Sequence, residues 1–147
     1  DFDAFLVKEV NITTYNSFSI DGHVKQGYYT EEEREENHIE EFSSWKTLRP
    51  FCFSLIKGKK LPGSFRIVLQ LPKAGTDKFA RTGAGIDGNQ IVGLYLNIRY
   101  DNGEMYCITG TSLNFFTMDK TLDLEWDKAV KQFLQSHEIP CTEATEG

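Results

Sequence analysis

The sequence predicts an α+β fold, with a mainly antiparallel sheet of about five strands and two to three helices packed on one side. Three observations carry this prediction. Phe18 and Ile20 alternate with serines, which is the period-two pattern of a half-buried strand. An Asn102–Gly103 pair separates two alternating runs, which is typical of a type I′ hairpin. Apolar residues recur at helical spacing over residues 122–137.

The N-terminal part predicts two strands followed by an acidic segment. Residues 4–24 are rich in β-branched and aromatic residues, and we expect a bend near Tyr15–Asn16. Seven glutamates follow between Glu31 and Glu41. Thr30 and Glu33 have the spacing of a capping box, which favours a helix start. The segment has little to bury, so a mobile acidic loop is an equal alternative.

The middle of the chain predicts a helix, a strand and a short helix. Apolar residues over 45–56 recur at helical spacing, Gly58 is a natural residue after the helix end, and Pro50 either kinks the helix or restarts it. Residues 64–72 read as a central strand, because apolar side chains occur on both of its faces. A short helix over Thr76–Thr82 and a glycine-rich loop follow.

The last third predicts the hairpin and the final helix. In the predicted hairpin register six side chains share the core face, namely Leu94, Leu96, Ile98, Tyr100, Met105 and Cys107. His137, near the helix end, is placed to satisfy terminal carbonyls, and Pro140 stops the helix. We expect one domain over residues 1–139 and an unordered tail over 140–147.

Composition narrows the class of protein. With 147 residues, 39% of them hydrophobic, the chain has enough apolar material for one core and too much for a disordered segment. No apolar run approaches the ~18 residues that span a bilayer. The three cysteines are widely separated and odd in number, which predicts reduced thiols in a cytoplasmic protein.

Charge is divided into three blocks. Residues 1–41 hold 3 basic and 11 acidic side chains, residues 42–99 hold 10 and 2, and residues 100–147 hold 3 and 9. The blocks either neutralise one another, with Glu31–Glu41 covering the basic middle, or leave a basic surface for phosphates with tyrosines for base stacking. The candidate residues of that surface are Lys57, Lys59, Lys60, Arg66, Lys73, Lys78, Arg81, Tyr95, Arg99 and Tyr106. A net charge of −6 and a pI near 5.1 favour neutralisation, or an acidic protein partner, over nucleic acid.

No motif predicts catalysis, a cofactor or a metal. Residues 83–88 match G-x-G-x-x-G, but a strand is expected after them where a nucleotide site needs a helix. No histidine lies two to five residues from another histidine or a cysteine, so no local metal pair exists. Asp21 and His23 share a strand face, which is more often surface than active site. Cys52 and Cys107 fall at predicted core positions, where thiols are usually inert.

Residues 43–71 and 94–133 resemble those of an uncharacterised family that we associate with anaerobic Gram-positive gut bacteria. The resemblance implies a bacterial cytoplasmic protein without assigned activity, and it brings no catalytic residues. The sequence thus favours a non-enzymatic binding or regulatory module, with a protein partner and no membrane contact. A nucleic-acid-binding domain that uses segment 42–99 and an enzyme whose site assembles only in three dimensions are the alternatives. The oligomeric state is left open.

Overall fold

Secondary structure follows the predicted order along the chain. The structure, a computed structural model, describes residues 2–56, 63–101 and 103–137. The strands are β1 (Leu6–Thr13), β2 (Ser17–Asp21), β3 (Ser64–Gln70), β4 (Ile91–Asp101) and β5 (Glu104–Leu113). The helices are α1 (Glu31–Glu36), α2 (Trp45–Ile56), α3 (Lys73–Phe79) and α4 (Thr121–Ser136). The predictions for Gly58, for Pro140 and for the tail at 140–147 lie outside the described residues.

The five strands form one antiparallel sheet in the order β2-β1-β3-β4-β5. This order confirms the α+β class and places β3 at the centre, as its apolar sequence predicts. The short turn between β1 and β2 is closed by a hydrogen bond from the Thr14 amide to the Asn16 carbonyl, 2.9 Å long. A two-residue connection joins β4 to its neighbour β5, as the predicted hairpin requires.

The described residues form two compact units. The helical unit comprises residues 73–94 and 109–137, and the sheet unit comprises residues 2–56, 63–72, 95–101 and 103–108. Strands β4 and β5 contribute residues to both units. A single domain over residues 1–139 stays a prediction.

One face of the sheet unit is apolar. Val10 pairs with Ile67, and Leu69 pairs with Leu96, so these four side chains point to the same side. All four are buried, as is Cys52 of α2, and each aliphatic side chain contributes about 1.5–3 kcal/mol through burial. The core of this unit therefore lies under the face that the alternation in the sequence predicts.

The structure decides two alternatives that the sequence left open in the sheet unit. Helix α1 forms, and its capping box is complete, since Thr30 Oγ1 accepts from the Glu33 amide at 3.1 Å and Glu33 Oε1 accepts from the Thr30 amide at 3.2 Å. Helix α2 continues through Pro50 without a restart.

Gly22, which follows β2, is buried where the chain approaches β1. Its amide donates to the Lys8 carbonyl at 3.0 Å. A Cβ at this position would lie 1.8 Å from the Val7 carbonyl oxygen, so only glycine permits the contact.

Helix α4 anchors the helical unit. It buries Leu122, Trp126, Val130 and Leu134. The Trp126 ring packs edge-on against Phe79 at 5.5 Å between centroids. The hydroxyls of Thr109 and Thr111 on β5 donate to Asp127 and Asp123 on α4. His137 Nδ1 lies 2.9 Å from the Phe133 carbonyl oxygen, as predicted for the helix end.

The hairpin tip departs from expectation. Met105 and Cys107 are exposed, although alternation assigns them to the core face. The prediction that these two positions are buried is wrong. Alternation decides which face of a strand a side chain occupies, but it does not decide how far along the strand another element covers that face.

Candidate binding site on the polar face of the sheet

The second face of the sheet unit is almost entirely polar. The register of β1 to β4 places fifteen side chains on it, and we call this surface the polar face. Its members are Leu6, Glu9, Asn11, Thr13, Ser17, Ser19, Asp21, Ser64, Arg66, Val68, Gln70, Tyr95, Asn97, Arg99 and Asp101. Of the predicted site residues within the described ranges, Arg66, Tyr95 and Arg99 therefore lie together.

Arg66 and Arg99 are direct cross-strand partners on β3 and β4. Both side chains are exposed, and like charges directly opposite each other in a sheet repel. Arg66 forms an ion pair with Glu9 on β1. The described residues provide Arg99 with no ion pair and no hydrogen bond for its guanidinium. An unbalanced guanidinium is therefore presented at the centre of the polar face.

Tyr106 extends this arginine cluster onto β5. The hairpin register that the sequence predicts sets Tyr106 opposite Arg99. Its hydroxyl donates to the Glu104 carboxylate, and this bond together with the negative charge raises the pKa of Tyr106 above its ordinary value. The single hydrogen of the phenol is therefore engaged by Glu104.

The Tyr95 ring is less available for base stacking than the sequence predicts. The ring is half-buried, and the Lys8 ammonium lies over it, 5.0 Å from the ring centroid. The same ammonium lies 5.6 Å from the Phe42 centroid, so Lys8 contacts two aromatic rings. One side of the Tyr95 ring is thus occupied from within the chain.

Asn97 is the functional candidate that sequence reasoning missed. Its Oδ1 is buried and has no hydrogen-bond donor among the described residues. Val68 lies directly opposite on β3. A buried amide oxygen without a donor has lost its water, which costs about 1–3 kcal/mol. A lone asparagine among apolar neighbours in a strand is the only sequence signal, and it becomes visible once the register is known.

That the other basic residues belong to the same surface stays a prediction. Lys57, Lys59 and Lys60 lie outside the described residues. Lys73, Lys78 and Arg81 belong to the helical unit, where Lys73 pairs with Asp77 at 2.9 Å.

Two ion pairs join the acidic block to the basic block among the described residues. Asp3 pairs with Arg49 at 2.9 Å, and Glu9 pairs with Arg66. Within Glu31–Glu41, Glu41 Oε1 lies 3.4 Å from His23 Nε2. That this segment covers the basic middle stays a prediction, because three of the lysines lie outside the described residues.

Groups with catalytic potential are dispersed. Cys52 is buried, and desolvation raises the pKa of its thiol, so the thiolate is disfavoured. His23 meets Phe42 edge-on, and its amide donates to Asp21 at 2.9 Å. The G-x-G-x-x-G segment leads into β4, and Gly85 ends a π-helical turn there with a φ of +62°. Within residues 2–56, 63–101 and 103–137, no three His, Cys, Asp or Glu side chains are grouped as metal ligands.

A shallow cavity of about 240 Å³ lies in the described part of the helical unit. Leu113, Phe115 and Leu122 line its apolar side, and Asp119 and Thr121 line its polar side. Pockets that enclose small molecules usually hold about 300–1,000 Å³. The cavity is smaller and more open than such pockets, so we take the polar face as the candidate binding site.

These features define a class of protein: an α+β domain that offers an open, polar sheet face with an unbalanced arginine. The helices of the described part are all too short or too polar to cross a membrane. The comparison with curated proteins finds no match, and the comparison with solved structures finds none either. The chain belongs to the family of unknown function DUF5721, whose model matches residues 1–142.

Proposed function

We propose that this protein is a non-enzymatic binding module that holds an acidic segment of a partner protein on the polar face, at Arg99. The observation that carries the proposal is the pairing of Arg99 with Arg66 on an exposed surface where, among the residues that the structure describes, Arg66 has an acidic partner and Arg99 has none. A carboxylate from another protein would remove the repulsion and accept two parallel hydrogen bonds from the guanidinium.

A protein partner is favoured over nucleic acid by the charges around the arginines. Glu9, Asp21 and Asp101 share the polar face, and they would repel a phosphate backbone that runs across it. Base stacking also needs open aromatic rings, and Lys8 covers one side of Tyr95. A protein segment needs to place only one carboxylate at Arg99, so it meets less of this repulsion than a phosphate backbone does, and it needs no base stacking.

The module is proposed to act in the bacterial cytoplasm. Three widely spaced cysteines, an odd number, support a reducing compartment. Mass spectrometry of natively isolated protein should find all three thiols open to alkylation after unfolding. A disulfide would contradict the assignment.

Titration of the isotope-labelled full chain tests the binding site. We expect an eight-residue Glu-rich peptide to shift NMR signals of β3, β4 and β5, and a Lys-rich peptide to shift none of them. Arg99→Gln should weaken the acidic peptide about 10–100-fold, because a charged hydrogen bond contributes about 1.5–3 kcal/mol. Lys46→Gln is the matched control, since Lys46 is exposed on α2 and removes the same charge.

Two results would refute the proposal. One is an affinity that Arg99→Gln leaves unchanged. The other is a preference for a 20-nucleotide single strand whose binding weakens steeply with salt, which would favour the nucleic-acid alternative.

A further inference from the structure

The loop between β5 and α4 exposes large apolar side chains. Phe116 and Met118 are 89% and 80% exposed, and Phe115 beside them is 41% exposed. All three belong to the helical unit. A single exposed apolar residue on a protein surface is ordinary, but three within four positions are typical of a surface that a partner covers.

Hydrogen bonds hold this loop at both ends. At its start, Asn114 donates from its amide to the Gln90 carbonyl at 3.0 Å and from Nδ2 to the Asn89 carbonyl at 3.1 Å. At its end, the Asp119 amide donates to Thr117 Oγ1 at 3.0 Å. The exposed side chains therefore stand on an anchored loop, so a partner that covers them does not have to order the loop first.

The shallow cavity of the helical unit lies against the same loop. Every second residue from Leu113 to Thr121 lines it, and Ile86 and Leu122 extend its apolar wall. Its volume of about 240 Å³ is below that of a typical small-molecule pocket, but it accommodates one bulky side chain. Single side chains that fill such pockets contribute much of the affinity of protein interfaces. The cavity is therefore suited to an anchoring side chain of a partner.

Asp119 gives this cavity a negative charge. Its Oδ1 accepts hydrogen bonds from the Thr121 amide at 3.0 Å and from the Thr121 hydroxyl at 2.6 Å. These bonds lower the pKa of Asp119, so the group is a carboxylate at neutral pH. Among the residues that the structure describes, no basic side chain forms an ion pair with it. A basic side chain is therefore the complement of this site.

A partner protein explains the loop and the cavity together. A small molecule in the cavity would leave Phe116 and Met118 uncovered, since neither lines it. An anionic lipid surface would be repelled by Asp119 and Asp123, which lie within five residues of the exposed side chains. A protein segment can fill the cavity and cover the loop at the same time.

We infer that the helical unit has a second binding site, for a partner-protein segment in which a basic side chain stands next to a bulky apolar one. The apolar side chain fills the cavity, the basic side chain pairs with Asp119, and the rest of the segment covers Phe116 and Met118. The inference goes beyond the proposed function, because it uses none of the residues of the polar face and selects the opposite charge.

NMR titration of the isotope-labelled full chain tests this site. The probe is an eight-residue peptide with two Arg–Phe pairs among glycines and serines, and control peptides carry Ser in place of Phe or Glu in place of Arg. We expect the probe to shift signals of residues 113–122 and its rings to show NOE contacts with the Leu122 side chain. The peptide without Phe should bind at least tenfold more weakly, because it lacks the anchor. The peptide with Glu should bind at least fivefold more weakly, because it repels Asp119.

Two pairs of variants locate the contact. Asp119→Asn should weaken the probe about two- to fivefold, as expected for an exposed ion pair. Asp87→Asn should leave binding unchanged, since Asp87 is also exposed and accepts a bond from the Asn89 amide but does not line the cavity. Phe116→Ser should weaken the probe at least threefold. Tyr15→Ser removes a similarly exposed ring from the sheet unit and should have no effect.

Four results would overturn the inference. The first is the absence of shifts at residues 113–122 with millimolar probe, and the second is an affinity that both Asp119→Asn and Phe116→Ser leave unchanged. The third is binding to vesicles of phosphatidylcholine and phosphatidylglycerol that Phe116→Ser abolishes, because the loop would then be a membrane contact. The fourth is a dimer of the chain alone that Phe116→Ser dissociates, because a second copy would then cover the loop.

Discussion

Replacing Asn97 with valine tests whether the centre of the polar face carries an unsatisfied polar group. Asn97 Oδ1 is buried and receives no hydrogen bond from the described residues. Valine removes that oxygen, has a similar width at Cβ, and is a better strand residue than asparagine. We therefore expect Asn97→Val to make the protein more stable, which is uncommon for a substitution inside a sheet.

The expected gain follows from the burial of the oxygen. An unpaired buried acceptor costs about 1–3 kcal/mol, and strand propensities span about 1 kcal/mol. Some relaxation around the amide lowers the first figure, so we expect the free energy of unfolding to rise by about 1–2 kcal/mol. For a chain of this size a melting temperature rises by about 2–4 °C per kcal/mol, which gives about 2–8 °C.

Urea denaturation and calorimetry of Asn97→Val measure this gain. Asn11→Val is the matched control on the same face, because Asn11 Oδ1 accepts a hydrogen bond from Ser19 Oγ at 2.8 Å. The control should lose up to about 1 kcal/mol or stay unchanged. A loss of stability in Asn97→Val, or an equal response of the two variants, would refute the reasoning. An amide kept at a position where it lowers stability is typical of a functional site.

Two further predictions concern positions away from the polar face. Gly22→Ala should destabilise the protein by about 1–3 kcal/mol or more in urea denaturation, because the new methyl group meets the Val7 carbonyl oxygen. Gly63→Ala, where the nearest atom lies 3.6 Å away, should change stability by less than about 1 kcal/mol, and a similar loss in both would contradict the steric argument. Hydrogen bonds from the Thr121 hydroxyl and amide lower the pKa of Asp119, so Thr121→Ala should raise that pKa toward its ordinary value in a carboxyl NMR titration. Because the pKa of Asp119 is depressed in the folded state, this carboxylate stabilises the fold fully above the ordinary carboxyl pKa, and the stabilisation is lost as pH falls through the folded-state pKa. If Asp119 titrates identically in the two proteins, Thr121 is not the cause of the depression.

Local order along the chain was predictable because short-range rules govern it. The capping box at Thr30 needs only two residues three positions apart, and it forms as predicted. The two-residue connection after β4 follows from the Asn102–Gly103 pair, which accepts positive φ at low cost. The central position of β3 follows from apolar residues on both of its faces.

The extent of burial was not predictable from those rules. Helix α1 forms although none of its residues is buried. Because its sequence is polar, burial gave no basis for choosing between a helix and a loop. Met105 has the alternation of a core residue and is exposed, because coverage of a strand depends on where other elements pack.

The sequence by itself determined the α+β class, the order of the elements and which side chains alternate, since each depends on neighbours within a few positions. Only the tertiary structure decided that Arg66 on β3 faces Arg99 on β4, that Glu9 on β1 balances one of them, and that Asn97 Oδ1 is buried without a donor among the described residues. These relations join residues that are far apart in the chain, and the register that creates them is set by the packing of the whole apolar face.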